Sequence, residues 1–426
     1  MSRFKLFRLL YPSIAGGRYQ ERAWRAFRVV AAGYEAMCGI AELLLHDGHV
    51  PAWLARYMKK LAKAILAVTV EIHGPDKVVE WFADPIWFQA FNNAIGMDWD
   101  SSGSTTVTVG IVKQVTLEDP SLGIAVAGGK GTKAREAPRE IDDIADTFNL
   151  SSSTVKELKL VSRLSAKTDT VLLQDGYQLY HHAVIVSSTG KWTVIQQGMN
   201  TRTGLARRYH WSKPLPPIPT LEPHRAIASN RKENFVIDMT SKMSCEARDT
   251  ILDLVRDDPR RLLHQIHQAY MAMKGIAPLT MFQTSRLTNS VEALKRYARY
   301  YRPQSRPPRH IEQVLRKVYE LSPKSIEELV LVEGVGPATL RSLALVAEIV
   351  YGVPVSHNDP TNAPLDPFRY AYIAGGKDGI PYPFRRDYAE KVIEFLENVL
   401  AEARLDEKSK KRALERVRRL ANMLPR

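Results

Sequence analysis

Leu179-Tyr180-His181-His182-Ala183-Val184-Ile185-Val186 is followed by Ser187-Ser188-Thr189-Gly190 and then by Trp192-Thr193-Val194-Ile195-Gln196-Gln197. Two β-branched runs separated by a short polar turn containing glycine predict an antiparallel hairpin. Upstream, residues 170–173 predict a further strand. The run Ser104-Thr105-Thr106-Val107-Thr108-Val109 predicts another by its β-branched content, and residues 122–127 one more. Gly128-Gly129-Lys130-Gly131 reads as a flexible basic loop. Around these strands lie helical patterns. In residues 51–81, Leu54, Leu61, Ile65 and Val68 recur near the 3.6-residue period. Asp84-Pro85 breaks that pattern, residues 86–95 form a short aromatic helix, and residues 151–165 a helix capped by Ser or Thr.

Downstream of the hairpin, Pro214-Leu215-Pro216-Pro217-Ile218-Pro219 reads as a stiff linker. Beyond it helical patterns dominate, at residues 245–274, 289–301, 310–321, 325–331, 339–351 and 387–400, with a basic helix over 407–423. A second proline-rich break falls at 302–308. The expected fold class is α+β. A mixed domain with the antiparallel hairpin spans 37–211, a linker 212–234, and a mostly helical domain 235–426. Residues 1–36 form a basic extension.

The chain has 426 residues, too many for one compact core. Lys and Arg outnumber Asp and Glu by 60 to 46, a net charge of +14 that favours a polyanionic partner. Two cysteines, Cys38 and Cys245, exclude a disulfide framework and fit a reducing compartment, so a cytoplasmic protein is expected. No apolar run approaches the roughly 18 residues a membrane span needs, so no membrane partner is expected. The Arg-rich start lacks a secretory signal's apolar core. It fits a transit peptide, a basic arm, or an upstream start codon with Met37 as the true start; the last reading is favoured.

The motif most telling of function is Leu329-Val330-Leu331-Val332-Glu333-Gly334-Val335-Gly336-Pro337-Ala338-Thr339-Leu340. One helix runs into Gly-Val-Gly and a second starts at once. Gly334 and Gly336 permit a left-handed backbone and close approach of a ligand. Pro337 suits the first turn of the new helix, whose free N–H groups attract anions. The pattern, over 325–351, resembles the helix-hairpin-helix motif, which implies binding of DNA backbones without reading of sequence. Gly334, Val335, Gly336, Thr339 and Arg341 are the candidate contacts there. Lys130, Arg207, Arg208 and Lys377 are further candidates elsewhere. A plain helical hairpin with a glycine turn is the structural alternative. The basic tail helix (Lys408, Lys410, Lys411, Arg412, Arg416, Arg418, Arg419) adds charge.

Residues 162–211 concentrate groups that bind phosphate or move protons: Lys167, Asp175, His181, His182, Gln197, Asn200 and Arg207. His181 and His182 must point to opposite faces of a strand, so only one of them lines any given site. The segments Gly39-Ile40-Ala41-Glu42-Leu43, Asp84-Pro85-Ile86-Trp87-Phe88-Gln89-Ala90-Phe91, 174–182, 196–200, 207–211 and 375–382 resemble the archaeal and bacterial family called domain of unknown function 763. That resemblance covers residue 37 to the end and brings no activity with it. A weaker likeness is to the catalytic hairpin of phospholipase D-like nucleases. It implies His181 as a nucleophile attacking phosphorus and Asn200 as a phosphate ligand, with no metal required. The lysine position is Ala183, so Lys167 or Arg207 would substitute. Only one such hairpin is visible, and a homodimer would supply the second. The expected function is thus DNA processing or repair by phosphodiester cleavage, with His181, His182, Lys167, Asp175 and Asn200 as catalytic candidates.

Two enzyme alternatives and one without chemistry stand beside it. Helix-hairpin-helix DNA glycosylases carry a catalytic aspartate after the second helix, and Asp359 stands near that place. Asp98, Asp100, Asp169 and Asp175 would instead hold Mg²⁺ in a metal-dependent nuclease. The third alternative is a DNA-binding subunit of a repair complex. Scarce cysteines and proline-rich linkers are compatible with a thermophile.

Overall fold

The computed structural model describes residue 50 and residues 52–95, 103–229, 232–273 and 307–361. The architecture is α+β. At its centre is an antiparallel sheet of five strands in the order β1-β3-β4-β5-β6. These are β1 (Ile124–Lys130), β3 (Gln178–Ser187), β4 (Trp192–Asn200), β5 (Leu205–Ser212) and β6 (Ala226–Ala228). Strands β2 (Leu173–Gln174) and β7 (Ile237–Asp238) form a separate two-stranded ribbon.

The runs of valine and isoleucine in β3 and β4 follow from burial on both faces. Ala183, Ile185 and Ile195 pack under helices α1 (Ala52–His73), α2 (Pro75–Phe82), α3 (Pro85–Ala94) and α4 (Gly103–Glu118). Val184, Val186, Val194, Trp192 and Trp211 pack under α5 (Ala137–Phe148) and α6 (Ser152–Lys167). A third layer of helices comprises α7 (Cys245–Arg256), α8 (Pro259–Met273), α9 (Ile311–Leu321), α10 (Ile326–Leu331) and α11 (Pro337–Ile349). Its core takes in Leu164, Val171, Leu172 and Ile237, so it is joined to the sheet region by shared apolar packing.

The hairpin, the aromatic helix and the Ser151-capped helix lie where the sequence predicts them; Ser151 Oγ accepts the Thr154 N–H at 3.2 Å. Four expectations are corrected. The Ser/Thr/Val run at 104–109 is helical, within α4. Its side chains are buried on several sides because α4 lies between α1 and β1. Tertiary packing there overrides β-propensity. The Thr105 and Thr108 hydroxyls are satisfied by Gln197 and Asn92. Residues 168–172 form one wide helical turn continuing α6, and only Leu173 and Gln174 are extended. The helix expected over 245–274 is two, parted at Asp257-Asp258-Pro259, where proline starts the second. Gly128 and Gly129 belong to β1 rather than a loop.

Gly128 is needed there: its φ is 89°, and a Cβ would stand 2.3 Å from the His182 carbonyl oxygen of β3. Residues 212–234 supply β6 to the sheet, and the buried Thr220 hydroxyl bonds to Arg248 (2.7 Å) and Glu327. The helices expected at 289–301, 387–400 and 407–423, the basic extension 1–36, and Lys377, Asp98 and Asp100 lie outside the described residues. Among the described residues no helix is long and apolar enough to cross a membrane.

Candidate nucleic-acid interface

The helical hairpin forms as the sequence predicts. Ser325 caps α10 by accepting the Glu328 N–H at 3.2 Å, and Leu329, Val330, Val335, Leu340 and Leu343 are buried between the helices. Gly334 has φ 92°, and a Cβ there would lie 2.9 Å from Val314 Cγ2 of α9. Gly334→Ala is therefore expected to cost about 1–3 kcal/mol from backbone strain and crowding, seen as a lower urea midpoint. A midpoint equal to that of the wild type would refute the conformational argument. Gly336 differs from expectation. Its φ of −130° is open to any residue, so no left-handed requirement exists there. A Cβ on Gly336 would meet nothing within 4 Å. It is the N-cap of α11, without a side-chain capping bond. Pro337 lacks an N–H, and the first helical bond is Leu340 N–H to Gly336 O at 3.1 Å. The N–H groups of Ala338 and Thr339 thus precede the helical ladder.

The structure brings two residues distant in sequence to this turn, the candidate Lys167 and Gln174. Lys167, at the end of α6, donates to Val335 O at 2.8 Å. Burial, and then the charge of Arg163, one turn earlier, lower its pKa below the usual lysine value. Gln174 donates to Pro337 O at 3.0 Å and accepts from Arg341 Nε at 2.9 Å. Lys167 and Arg341 thus flank the start of α11. The acidic residue of the turn, Glu333, is engaged by Lys317 at 2.7 Å.

The remaining candidates among the described residues, Lys130 excepted, are placed in the interior. His182 and His181 face opposite sides of the sheet, as strand geometry requires. His182 Nδ1 donates to Gln196 Oε1 at 2.9 Å, so its neutral ring accepts from Ser162 Oγ at Nε2, 2.8 Å away. Gln196 passes the chain to Asp169, which also accepts from Trp211 Nε1 at 3.0 Å and meets His224 Nε2 at 2.6 Å. Burial lowers the His182 pKa. Asn200 Oδ1 accepts the N–H groups of Arg202 and Thr203, holding the turn after β4. Lys167, His182 and Asn200 thus each bond to different partners and not to one another.

Arg207 and Arg208, read as candidate DNA contacts, are both fully buried. Arg207 bridges Asp175 (2.8 Å) and Asp359 (2.7 Å) and lies over the Tyr177 ring. Tyr209 Oη donates to Asp175 Oδ2 at 2.7 Å. Burial raises the Asp175 pKa against the pull of Arg207. At Asp359 burial acts in the same direction, but Arg207 and the N–H of Glu233 outweigh it and hold the carboxyl below its ordinary value. Sequence spacing could not reveal this cluster, because its members are far apart along the chain. Lys130 is exposed at the end of β1. Among the described residues no group of three or more His, Cys, Asp or Glu is placed to hold a metal.

No curated protein and no solved structure matches the chain. A family model does, over residues 39–384, which is most of the chain and contains the sheet, the buried clusters and the hairpin. The chain belongs to the DUF763 family, described as a protein of unknown function.

Proposed function

We propose that this protein binds DNA through its sugar-phosphate backbone at the turn between α10 and α11. The observation that carries this reading is the convergence of Lys167 and Arg341 on the uncapped start of α11, beside open space at Gly336. Free N–H groups at a helix start and flanking cations form a phosphate site. Such contacts position a duplex without reading its sequence. The excess of 14 positive charges over the chain adds sequence-independent attraction.

The test uses fluorescence anisotropy with labelled duplex DNA, single-stranded DNA and RNA across a range of NaCl. Gly336→Ser should keep or raise stability, since serine is a good N-cap whose oxygen would take the N–H groups itself. The same change should weaken duplex binding about tenfold or more. Lys167→Gln combined with Arg163→Gln should lower the slope of log affinity against log salt by about 1 to 2. Duplex affinities and slopes equal to those of the wild type would place the interface elsewhere.

A second reading adds chemistry at the same end of the molecule. Asp359 lies on the segment leaving α11, and its partner Asp175 follows Gln174, which touches the hairpin. That placement supports a carboxylate reading of this end of the molecule, as in base excision, in which the buried Arg207–Asp359 pair opens to let Asp359 meet a nucleotide. Damaged-base duplexes converted to abasic product by the wild type and not by Asp359→Asn would support it. Cutting in EDTA that His181→Ala abolishes would restore the histidine mechanism.

A further inference from the structure

Strand register places Lys130, His181, Gln197 and Arg208 in one row across β1, β3, β4 and β5. Directly opposed residues of antiparallel strands share a face, here the face under α1–α4. A bulge between Leu179 and His181 lets Tyr180 serve this face too, and its hydroxyl meets Gln197.

Arg208 is fully buried. Its Nε donates to His210 Nε2 at 2.9 Å, its Nη1 to Thr105 Oγ1 at 3.3 Å, and its guanidinium lies 4.2 Å from the Phe88 ring centroid. His210 is fixed as a neutral acceptor, because its Nδ1–H goes to Phe82 O at 3.1 Å. Among the described residues no carboxylate reaches Arg208, and its Nη2 has no partner. The other buried arginines are treated differently: Arg207 has Asp175 and Asp359, and Arg248 has Glu327. Glu140, a carboxylate that bonds to β1, is held by Lys113 Nζ and Gly128 N–H, each at 2.6 Å.

His181 stands apart in the same way. It is 1% exposed, and neither ring nitrogen has a partner, whereas His182 and His210 are each bonded at both nitrogens. A buried guanidinium without a counter-charge carries an uncompensated desolvation cost, and arginine stays charged. Burial pushes the Arg208 pKa down to about 9, which leaves it cationic at neutral pH. The row therefore offers a buried positive charge and an imidazole with hydrogen-bonding capacity to spare. It supplies no negative charge of its own.

We propose that a phosphate-type oxyanion binds on this face of the sheet, between Arg208 and His181 across Gln197. The anion would accept from Arg208 Nη2 and from one His181 N–H. Exposed Lys130 marks the end of the row that meets solvent. The site is separate from the helical hairpin and stands whether or not the hairpin binds DNA. Its occupant is either free phosphate or the terminal phosphate of a nucleic acid, which present the same chemistry.

Equilibrium dialysis of the full chain against radiolabelled inorganic phosphate in a chloride buffer tests the proposal. Saturable binding near one phosphate per chain is expected, weakened at least tenfold in Arg208→Met and in His181→Phe. Arg208→Met should be at least as stable as the wild type in phosphate-free buffer, since methionine carries no charge to compensate. Absence of saturable binding by the wild type would overturn the proposal, and so would undiminished binding by both variants. Competition by a 5′-phosphorylated oligonucleotide, and not by its unphosphorylated twin, would uphold the site and assign it to a nucleic-acid end. Saturable binding without such competition would uphold it as a site for the free ion.

Discussion

Arg207→Ala is expected to remove about 3–5 kcal/mol of stability, the range for stripping one partner from a buried ion cluster. The guanidinium donates to Asp175 Oδ2 at 2.8 Å and to both oxygens of Asp359, at 2.7 and 3.3 Å. All three side chains are within 1% of complete burial. Without Arg207, two carboxylates would face one another in a low-dielectric interior with no cation. One would have to take up a proton, and Asp175 is the better candidate because burial already raises its pKa. The loss would be read from urea denaturation midpoints at pH 7. Arg207→Met with Asp175→Asn and Asp359→Asn should recover a large part of it, since what costs most is the uncompensated charge. A single-variant loss under about 1 kcal/mol would mean that water or rearrangement satisfies the carboxylates.

The same cluster marks the limit of what the sequence can disclose. The hairpin at 179–197 was legible because its signal is local: two β-branched runs and a glycine turn. The Ser151 cap and the Gly334 turn are local for the same reason. The opposite orientation of His181 and His182 follows from strand periodicity alone. By contrast, Arg207 meets Asp359 across 152 positions and Lys167 meets Val335 across 168. No spacing rule anticipates such pairs. Adjacent arginines in a basic chain read as a surface, yet β5 is buried on both faces, so Arg207 and Arg208 go to opposite interiors. The Ser/Thr/Val run at 104–109 misled for a related reason. Its β-branched side chains are stored in a helix between two packed layers, where burial outweighs intrinsic preference.

Acid should unfold this protein early, beginning below about pH 6.5, in phosphate-free buffer. Burial, then the neighbouring His182 and the charge of Lys130, push the His181 pKa down to about 3. Burial lowers His182 and His210 as well; the Arg208 charge adds to it at His210, and Gln196 and Asp169 partly oppose it at His182. In the unfolded chain these histidines titrate near 6.5, so between there and their folded values the unfolded state binds protons that the folded state refuses. Stability is therefore full above pH 6.5 and falls as pH drops toward 3. Each such histidine contributes a slope of up to about 1.4 kcal/mol per pH unit. Asp359, whose folded pKa is depressed, adds a further loss below its unfolded value, and Asp175, raised by burial, opposes it. Urea midpoints at pH 7, 6, 5 and 4 would measure the slope. His181→Phe should reduce it by close to one proton, because the phenyl ring fills a similar space and cannot titrate. A slope of zero from pH 7 to 5 in the wild type would show that the buried rings protonate in the folded state. Phosphate adds a discriminating control. An anion bound to His181 favours the protonated ring, so saturating phosphate should flatten the wild-type slope and leave that of His181→Phe unchanged.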